Sequence, residues 1–150
     1  MSAQKRDTVS AVMSKKVYTI SSIGSIRKAI DIMIEHNVGS IVITNGKKPI
    51  GIITERDVLR KVVGDWSLLK EPVKKIASEK LVTVHPDTPI WKAFALMLKN
   101  RIRRLPVVEK TGGNLAGIAT ERDLFRWVVG VLYEPAIPPD VIKLISKSSP

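Results

Sequence analysis

The sequence predicts a mixed α/β fold of the α+β type, in which two β-α-β-β-α repeats pack against each other with pseudo-two-fold symmetry. One observation is an internal duplication, because residues 51–64 recur as residues 117–130 with ten of fourteen positions identical. The other is that each copy alternates short β-rich segments with stretches whose apolar residues are spaced for one helical face. A unit of this size cannot easily bury both faces of its sheet alone. The two copies are therefore expected to pack together, and the grooves between their sheets are natural ligand sites.

The duplication extends upstream of the repeated block and sets the domain boundaries. Val9 corresponds to Val73 at a separation of 64 residues, and the separation becomes 66 from Gly51 onwards. The two extra residues fall within 110–114, where turn-forming residues cluster and changes of length are tolerated. We therefore divide the chain into a flexible N-terminus (1–8), a first repeat (9–66), a second repeat (67–130) and a C-terminal tail (131–150). Within the tail, residues 140–146 are expected to form one short amphipathic helix.

The first repeat begins with a short strand predicted around residues 17–20. Two further strands are predicted over 39–44 and 49–53, and the Asn45-Gly46 pair between them is a hairpin signal. A second helix is expected to run from Thr54 to about residue 63. The first helix lies between the strands and is indicated by apolar residues on one helical face: Ile26, Ala29, Ile30 and Met33.

The second repeat has the same order of elements, after a connector over residues 64–71. Its first strand is predicted over residues 81–84. Thr88 followed by Pro89 predicts a helix N-cap with proline at the first helical position. The helix that follows is indicated by Ile90, Ala93, Phe94 and Met97.

The composition argues against several classes of function. The chain has no cysteine, and its two histidines, His36 and His85, are far apart, so no metal site is expected. Neither a Walker loop, nor a Gly-x-Gly-x-x-Gly segment, nor a nucleophile elbow is present. We therefore expect a protein that is not an enzyme and has no cofactor.

The chain carries a net charge of +11, which attracts polyanions such as nucleotides or nucleic acid. The charge is spread along the chain, and the basic run over residues 99–104 lacks interleaved aromatic residues, so nucleic-acid binding is an alternative that the pattern does not favour. The first seven residues are polar, and no apolar stretch approaches the roughly 20 residues of a membrane helix. We expect a soluble cytoplasmic protein with no membrane partner.

The chain resembles the CBS domain family, named after cystathionine β-synthase, over roughly residues 9–130. The resemblance rests on the doubled Gly-Ile-x-Thr-Glu-Arg-Asp block, on Arg-Leu-Pro-Val-Val at 104–108, and on a Val-x-x-hydrophobic pattern at 9–12 and 73–76. It implies a CBS pair, or Bateman module, with two symmetry-related clefts that bind AMP, ADP or ATP as a regulatory ligand, or S-adenosylmethionine. It also implies a homodimer that acts on an effector protein.

The resemblance also implies roles for individual residues. The threonine and aspartate of the Gly-x-x-Thr-x-x-Asp segment would hold ribose and phosphate, and the first strand and first hairpin strand would hold the adenine. An aspartate can accept hydrogen bonds from both ribose hydroxyl groups, while a threonine hydroxyl and helix N-terminal amides can donate to phosphate. Arg56 and Arg122 are added as phosphate contacts. The predicted lining of the first cleft is Val17, Tyr18, Thr19, Ser40, Ile41, Val42, Thr54 and Asp57, and that of the second is Leu81, Val82, Thr83, Arg104, Leu105, Pro106, Val107, Thr120 and Asp123.

The two repeats differ in charge just before the hairpin. Arginine suits phosphate through bidentate contacts, so we predict that Arg103 and Arg104 contact a phosphate and that the two clefts are unequal. Because an arginine can reach across to the ligand of the partner repeat, the sequence leaves open which cleft gains the contact. The second repeat has Lys99, Arg101, Arg103 and Arg104 where the first has Glu35, Asn37, Gly39 and Ser40.

A structural role is the alternative to ligand contact at these motifs. The Thr54-x-x-Asp57 and Thr120-x-x-Asp123 spacings fit a helix capping box, and a cap can also face a cleft. The Glu-Arg pairs beside them also fit a solvated first helical turn. Besides a nucleic-acid-binding protein, a dimerisation scaffold that needs no ligand is the remaining functional alternative.

Overall fold

The mixed α+β fold is confirmed by the structure, a computed structural model that describes residues 7–78, 80–133, 138–140 and 143. The helix expected over 140–146 falls mainly on residues outside these ranges. Three short 3₁₀ helices cover Val9–Ala11, Trp66–Lys70 and Val73–Lys75. The other elements are β1 (Thr19–Ser21), α1 (Ile26–Glu35), β2 (Ser40–Asn45), β3 (Lys48–Thr54), α2 (Glu55–Lys61), α3 (Ile90–Asn100), β4 (Arg104–Val108), β5 (Leu115–Thr120) and α4 (Glu121–Tyr133).

The first repeat forms a three-stranded sheet in the order β1-β2-β3. β1 runs parallel to β2, and β2 pairs antiparallel with β3 from Ser40↔Thr54 to Asn45↔Lys48. The predicted hairpin is confirmed, with Gly46 in the turn at a φ of +59°, a conformation that glycine adopts without strain. β1 begins two residues later and ends one residue later than the strand predicted around residues 17–20.

The strand predicted over residues 81–84 does not form, and only Val84 pairs with β4, through a single parallel bridge to Val107. In the first repeat the N–H of Val42 donates to the carbonyl of Tyr18 at 3.0 Å. The residue equivalent to Val42 is Pro106, which has no N–H, so this hydrogen bond has no donor in the second repeat. The second sheet is therefore the antiparallel pair β4-β5.

The core of each repeat includes a residue from the N-terminal part of the other repeat. Val9 is buried in the second core, whereas Val73 is buried in the first. The backbones of Ser14 and Ile118 exchange two hydrogen bonds of 2.9 Å, and Val73 N–H donates to Gly24 at 2.8 Å. The two halves of the chain are thus interlocked rather than placed side by side.

Asp7 and Thr8, the last two residues of the predicted N-terminal segment, make backbone contacts with the start of α3. Ile90 N–H donates to the carbonyl of Asp7 at 2.9 Å, and Thr8 forms a bridge with Pro89. The assignment of residues 1–8 to a flexible N-terminus stays a prediction, and residues 1–6 of it lie outside the described ranges. The boundaries of the repeats stay a prediction.

The helical faces predicted from apolar spacing are confirmed. Ile26, Ala29 and Met33 of α1 are buried, and so are the equivalent residues of α3, with Ile30 and Phe94 packed at the edges. The predicted cap at Thr88 is wrong, because its hydroxyl accepts the N–H of His85 at 3.0 Å and Pro89 is the N-cap. No polar side chain is buried in the parts of the chain that the structure describes. The first core consists of Ile20, Ile26, Ala29, Met33, Ile41, Ile43, Ile53, Val62, Val73 and Ile76, and the second of Val9, Val84, Ile90, Ala93, Met97, Leu105, Val107, Ala119 and Leu124.

Candidate functional site: two clefts built on helix N-termini

The helices α2 and α4 both begin with a closed capping box. In the first repeat, the hydroxyl and the N–H of Thr54 donate to Asp57 Oδ2 at 2.7 and 2.8 Å, and Asp57 N–H donates to Thr54 Oγ1 at 3.3 Å. The corresponding bonds between Thr120 and Asp123 measure 2.7, 2.9 and 3.3 Å. The predicted capping role is confirmed in both repeats. Oδ2 of each aspartate receives both capping bonds from the threonine, and Oδ1 is the oxygen that these bonds do not use.

In each repeat, the start of the first hairpin strand lies at the same end of the sheet as the N-terminus of the helix that follows the hairpin. In the first repeat, Ser40 pairs with Thr54, and Glu55 N–H donates to the carbonyl of Gly39 at 3.2 Å. In the second, Glu121 N–H donates to the carbonyl of Arg103 at 2.9 Å. The helix N-terminus therefore lies directly beside the start of the first hairpin strand in both repeats.

The predicted lining residues differ in how much side chain they can offer a ligand. Ile41, Leu105 and Val107 are fully buried in the two cores, so they offer a ligand no accessible surface. Val42 and Pro106 are also buried. The half-buried members are Val17, Tyr18, Ser40, Thr54, Asp57, Leu81, Val82, Thr83, Arg104, Thr120 and Asp123, and the exposed ones are Thr19, Arg56, Arg103 and Arg122.

Arg104 crosses from the second repeat to the first. A Cβ built on Gly39 would lie 2.7 Å from Nη2 of Arg104 and 2.9 Å from Oε2 of Glu55. The lack of a side chain at Gly39 therefore gives the guanidinium its place beside the N-terminus of α2. Burial lowers the pKa of Arg104, the neighbouring Arg103 lowers it further, and Glu55 opposes both effects. The arginine stays charged at neutral pH, since even a lowered guanidinium pKa remains high.

Lys16 and His36, two residues beside the predicted Tyr18, were not among the predicted site residues. The rings of Tyr18 and His36 stack with their centroids 4.3 Å apart and 21° between their planes. Nζ of Lys16 lies 5.3 Å from the centroid of the Tyr18 ring. His36 is the residue that ends α1, and since α1 runs back to the end where β2 begins, this position could have been inferred from the element order.

Among the described residues, no group of three or more histidine, aspartate or glutamate side chains is arranged to hold a metal ion. Within the same ranges, the helices are too short or too polar to cross a membrane.

A model of the CBS domain matches residues 9–64 and 73–130. The chain belongs to the CBS domain family. A CBS domain-containing protein of Bacillus subtilis, YhcV, is 32% identical over 117 residues, which cover 78% of this chain and 82% of the relative. An uncharacterised protein of Methanopyrus kandleri is 44% identical over 96 residues, which are 63% of this chain and 48% of that protein, so the match spans about half of that relative.

The fold agrees with that of a solved CBS pair. The CBS domain pair of protein MJ0100, in complex with 5′-methylthioadenosine and S-adenosyl-L-methionine, superimposes with a TM-score of 0.73 at 30% identity. The superposition covers 83% of this chain and 97% of the other. The predicted tandem CBS pair is thereby confirmed.

Proposed function

We propose that this CBS pair is a non-catalytic regulatory module that binds an adenine nucleotide, AMP, ADP or ATP, in its clefts, with S-adenosylmethionine as the alternative ligand. The observation that carries the proposal is the matched pair of capping boxes at the N-termini of α2 and α4. In each box the threonine bonds to Oδ2 of the aspartate, so the capping bonds do not use Oδ1. The similar CBS pair of MJ0100 binds two compounds that both contain adenosine. A shared adenosine moiety supports the proposed contact between each aspartate and a ribose.

The clefts supply two kinds of contact. Oδ1 of Asp57, and of Asp123 in the second repeat, accepts the two ribose hydroxyl groups. The phosphate is stabilised by the positive end of the helix dipole. Arg104 adds a guanidinium beside the N-terminus of α2, so the first cleft is the one that gains the phosphate contact.

A thermal-shift screen of AMP, ADP, ATP and S-adenosylmethionine tests this proposal. A ligand present at about 100 times its Kd stabilises the native state by about 2.7 kcal/mol. For a chain of this size, that corresponds to a rise in Tm of roughly 5–10 °C. A short DNA duplex measured in parallel tests the alternative of nucleic-acid binding. Duplex binding that nucleotides do not compete away, and that falls steeply with salt, would support the alternative instead.

Substitution of each aspartate locates the ligand. Asp57→Asn and Asp123→Asn keep a side-chain oxygen for the capping threonine but remove the charge, so affinity at the affected cleft is expected to fall about tenfold or more. Asp31→Asn is the matched control, because Asp31 is exposed and pairs with Arg27 one helical turn away on α1. Unchanged nucleotide affinity in both cleft variants contradicts the proposal.

We also propose a homodimer in the cytoplasm whose ligand occupancy is read by an effector protein. Support for the dimer comes from large apolar residues exposed at equivalent positions of the two repeats. Ile34 and Leu98 are each 74% exposed, and Leu59 and Phe125 are 68% and 61% exposed. Apolar surface repeated in this way suits an isologous contact with a second copy. Light scattering of the wild type and of Leu59→Asp tests it. A dimer without any thermal shift by adenine compounds identifies a ligand-independent scaffold.

A further inference from the structure

Glu55 places a carboxylate beside the guanidinium that crosses between the repeats. Its N–H donates to the carbonyl of Gly39 at 3.2 Å, which fixes the first residue of α2 against the residue that precedes β2. Oε2 of Glu55 and Nη2 of Arg104 lie 2.9 and 2.7 Å from the position that a Cβ on Gly39 would take. Two opposite charges therefore border the same empty position at the N-terminus of α2.

The two charged side chains differ in their exposure. Arg104 is half-buried at the start of β4, whereas Glu55 is exposed in the first turn of α2. A guanidinium withdrawn from water needs a compensating anion. Burial and the neighbouring Arg103 lower the pKa of Arg104, and the charge of Glu55 opposes both effects. Because exposed side chains change rotamer readily, Glu55 can turn into solvent once another anion takes its place.

The second cleft has the carboxylate without the guanidinium. Glu121 is equivalent to Glu55, and its N–H makes the equivalent bond to the carbonyl of Arg103, at 2.9 Å. The residue equivalent to Arg104 is Ser40, which carries no charge. These equivalent positions therefore place opposite charges across the two repeats at the first cleft and not at the second.

We propose that Glu55 sets the phosphate selectivity of the first cleft, because it competes with the ligand for Arg104. The inference rests on the proposed function and narrows the ligand of this cleft to a nucleoside monophosphate. A single phosphate group takes the place of the Glu55 carboxylate beside the guanidinium. Each further phosphate brings more negative charge towards the same carboxylate, and like charges repel. AMP is therefore preferred to ATP at this cleft.

Calorimetric titration with adenosine, AMP and ATP measures this selectivity. Glu55→Gln removes the charge and keeps the shape of the side chain. It should raise the affinity for ATP about fivefold and that for AMP about twofold, and it should leave the affinity for adenosine unchanged. Both gains should shrink at high salt, since Glu55 is exposed. Titrations of Asp123→Asn, in which the second cleft is weakened, assign the effects to the first cleft.

Two matched variants control for charge and for helix stability. Glu109→Gln removes the same charge from the exposed residue that follows β4, at the end of the strand opposite Arg104, and should leave all three affinities unchanged. Glu121→Gln removes the equivalent carboxylate from the first turn of α4 and loses the same interaction with a helix dipole. It should change Tm as Glu55→Gln does, without changing the ratio of ATP to AMP affinity at the first cleft.

A double-mutant cycle identifies the group for which Glu55 and the phosphate compete. In the Arg104→Ala background, Glu55→Gln should raise the affinity for ATP by less than it does in the wild type, because no guanidinium remains to be released. An equal gain in both backgrounds assigns Glu55 a direct repulsion of the phosphate and overturns the inference.

The remaining outcomes separate this inference from the proposed function. A wild-type chain that prefers ATP to AMP at the first cleft, or a Glu55→Gln variant with the wild-type ratio of the two affinities, overturns the inference and leaves the nucleotide-binding module standing. Failure of the wild type to bind any adenosine compound overturns both.

Discussion

Replacing Arg101 by asparagine should stabilise the protein, although it removes no unfavourable side-chain contact. Arg101 ends α3 in the left-handed region, at φ 54° and ψ 40°, and its equivalent in the first repeat, Asn37, has a φ of 52°. The left-handed conformation costs most L-residues about 1–2 kcal/mol, and asparagine tolerates it better. We therefore expect Arg101→Asn to raise the free energy of unfolding by about 1 kcal/mol, which corresponds to a Tm increase of roughly 2–4 °C.

Urea and thermal unfolding of matched variants measure this effect. Arg101→Gln removes the same charge but keeps the backbone cost, so it separates backbone strain from relief of repulsion in a chain of charge +11. The reciprocal change, Asn37→Arg, should destabilise by a similar amount. The reasoning would be refuted by an Arg101→Gln variant as stable as Arg101→Asn, or by an Asn37→Arg variant with wild-type stability.

Three further predictions follow from single contacts. Gly117→Ala should lower the free energy of unfolding by about 1–3 kcal/mol, because the added Cβ would lie 2.7 Å from the backbone oxygen of Ser14. At the equivalent Gly51 an added Cβ meets nothing closer than 3.5 Å, so Gly51→Ala should be tolerated. Urea unfolding of both variants measures the difference. Arg104→Ala should weaken ATP binding more than adenosine binding in calorimetry, and unchanged ATP affinity in both this variant and Arg103→Ala would sink the phosphate assignment. Pro106→Val should supply the missing N–H for the carbonyl of residue 82, and hydrogen exchange should then detect a protected amide at position 106; rapid exchange there would contradict the explanation of the absent strand.

The regular elements were predictable because each depends on residues close together in sequence. Apolar spacing located α1 and α3, the Asn45-Gly46 pair located the hairpin, and the threonine and aspartate spacing located both capping boxes. These signals are local and repeat in both halves. Comparison of the repeats therefore gave the order of elements, whereas the segments predicted to border the clefts came from the resemblance to the CBS domain family.

The errors and omissions depend on contacts between distant residues. The absence of the strand over 81–84 reflects Pro106, more than twenty residues away, and the packing of Val9 in the second core has no local signature. The side to which Arg104 reaches depends on Gly39 in the other repeat. Each repeat predicts its own elements, but neither predicts how the two interlock.

The two repeats differ in parts of their cores, as at Ile53 and its equivalent Ala119, and also at the end of the sheet that carries the capping boxes. Core positions such as Ile26 and Ile90, or Ala29 and Ala93, are identical in both halves and equally buried. By contrast, Tyr18 is replaced by a valine in the second repeat, and Gly39 by an arginine, and both positions lie at the end of the sheet that carries the capping boxes. Each core tolerates changes of the first kind because apolar side chains replace one another there. A guanidinium in place of a glycine changes the charge beside a capping box, and it is this difference that bears on the proposed phosphate contact.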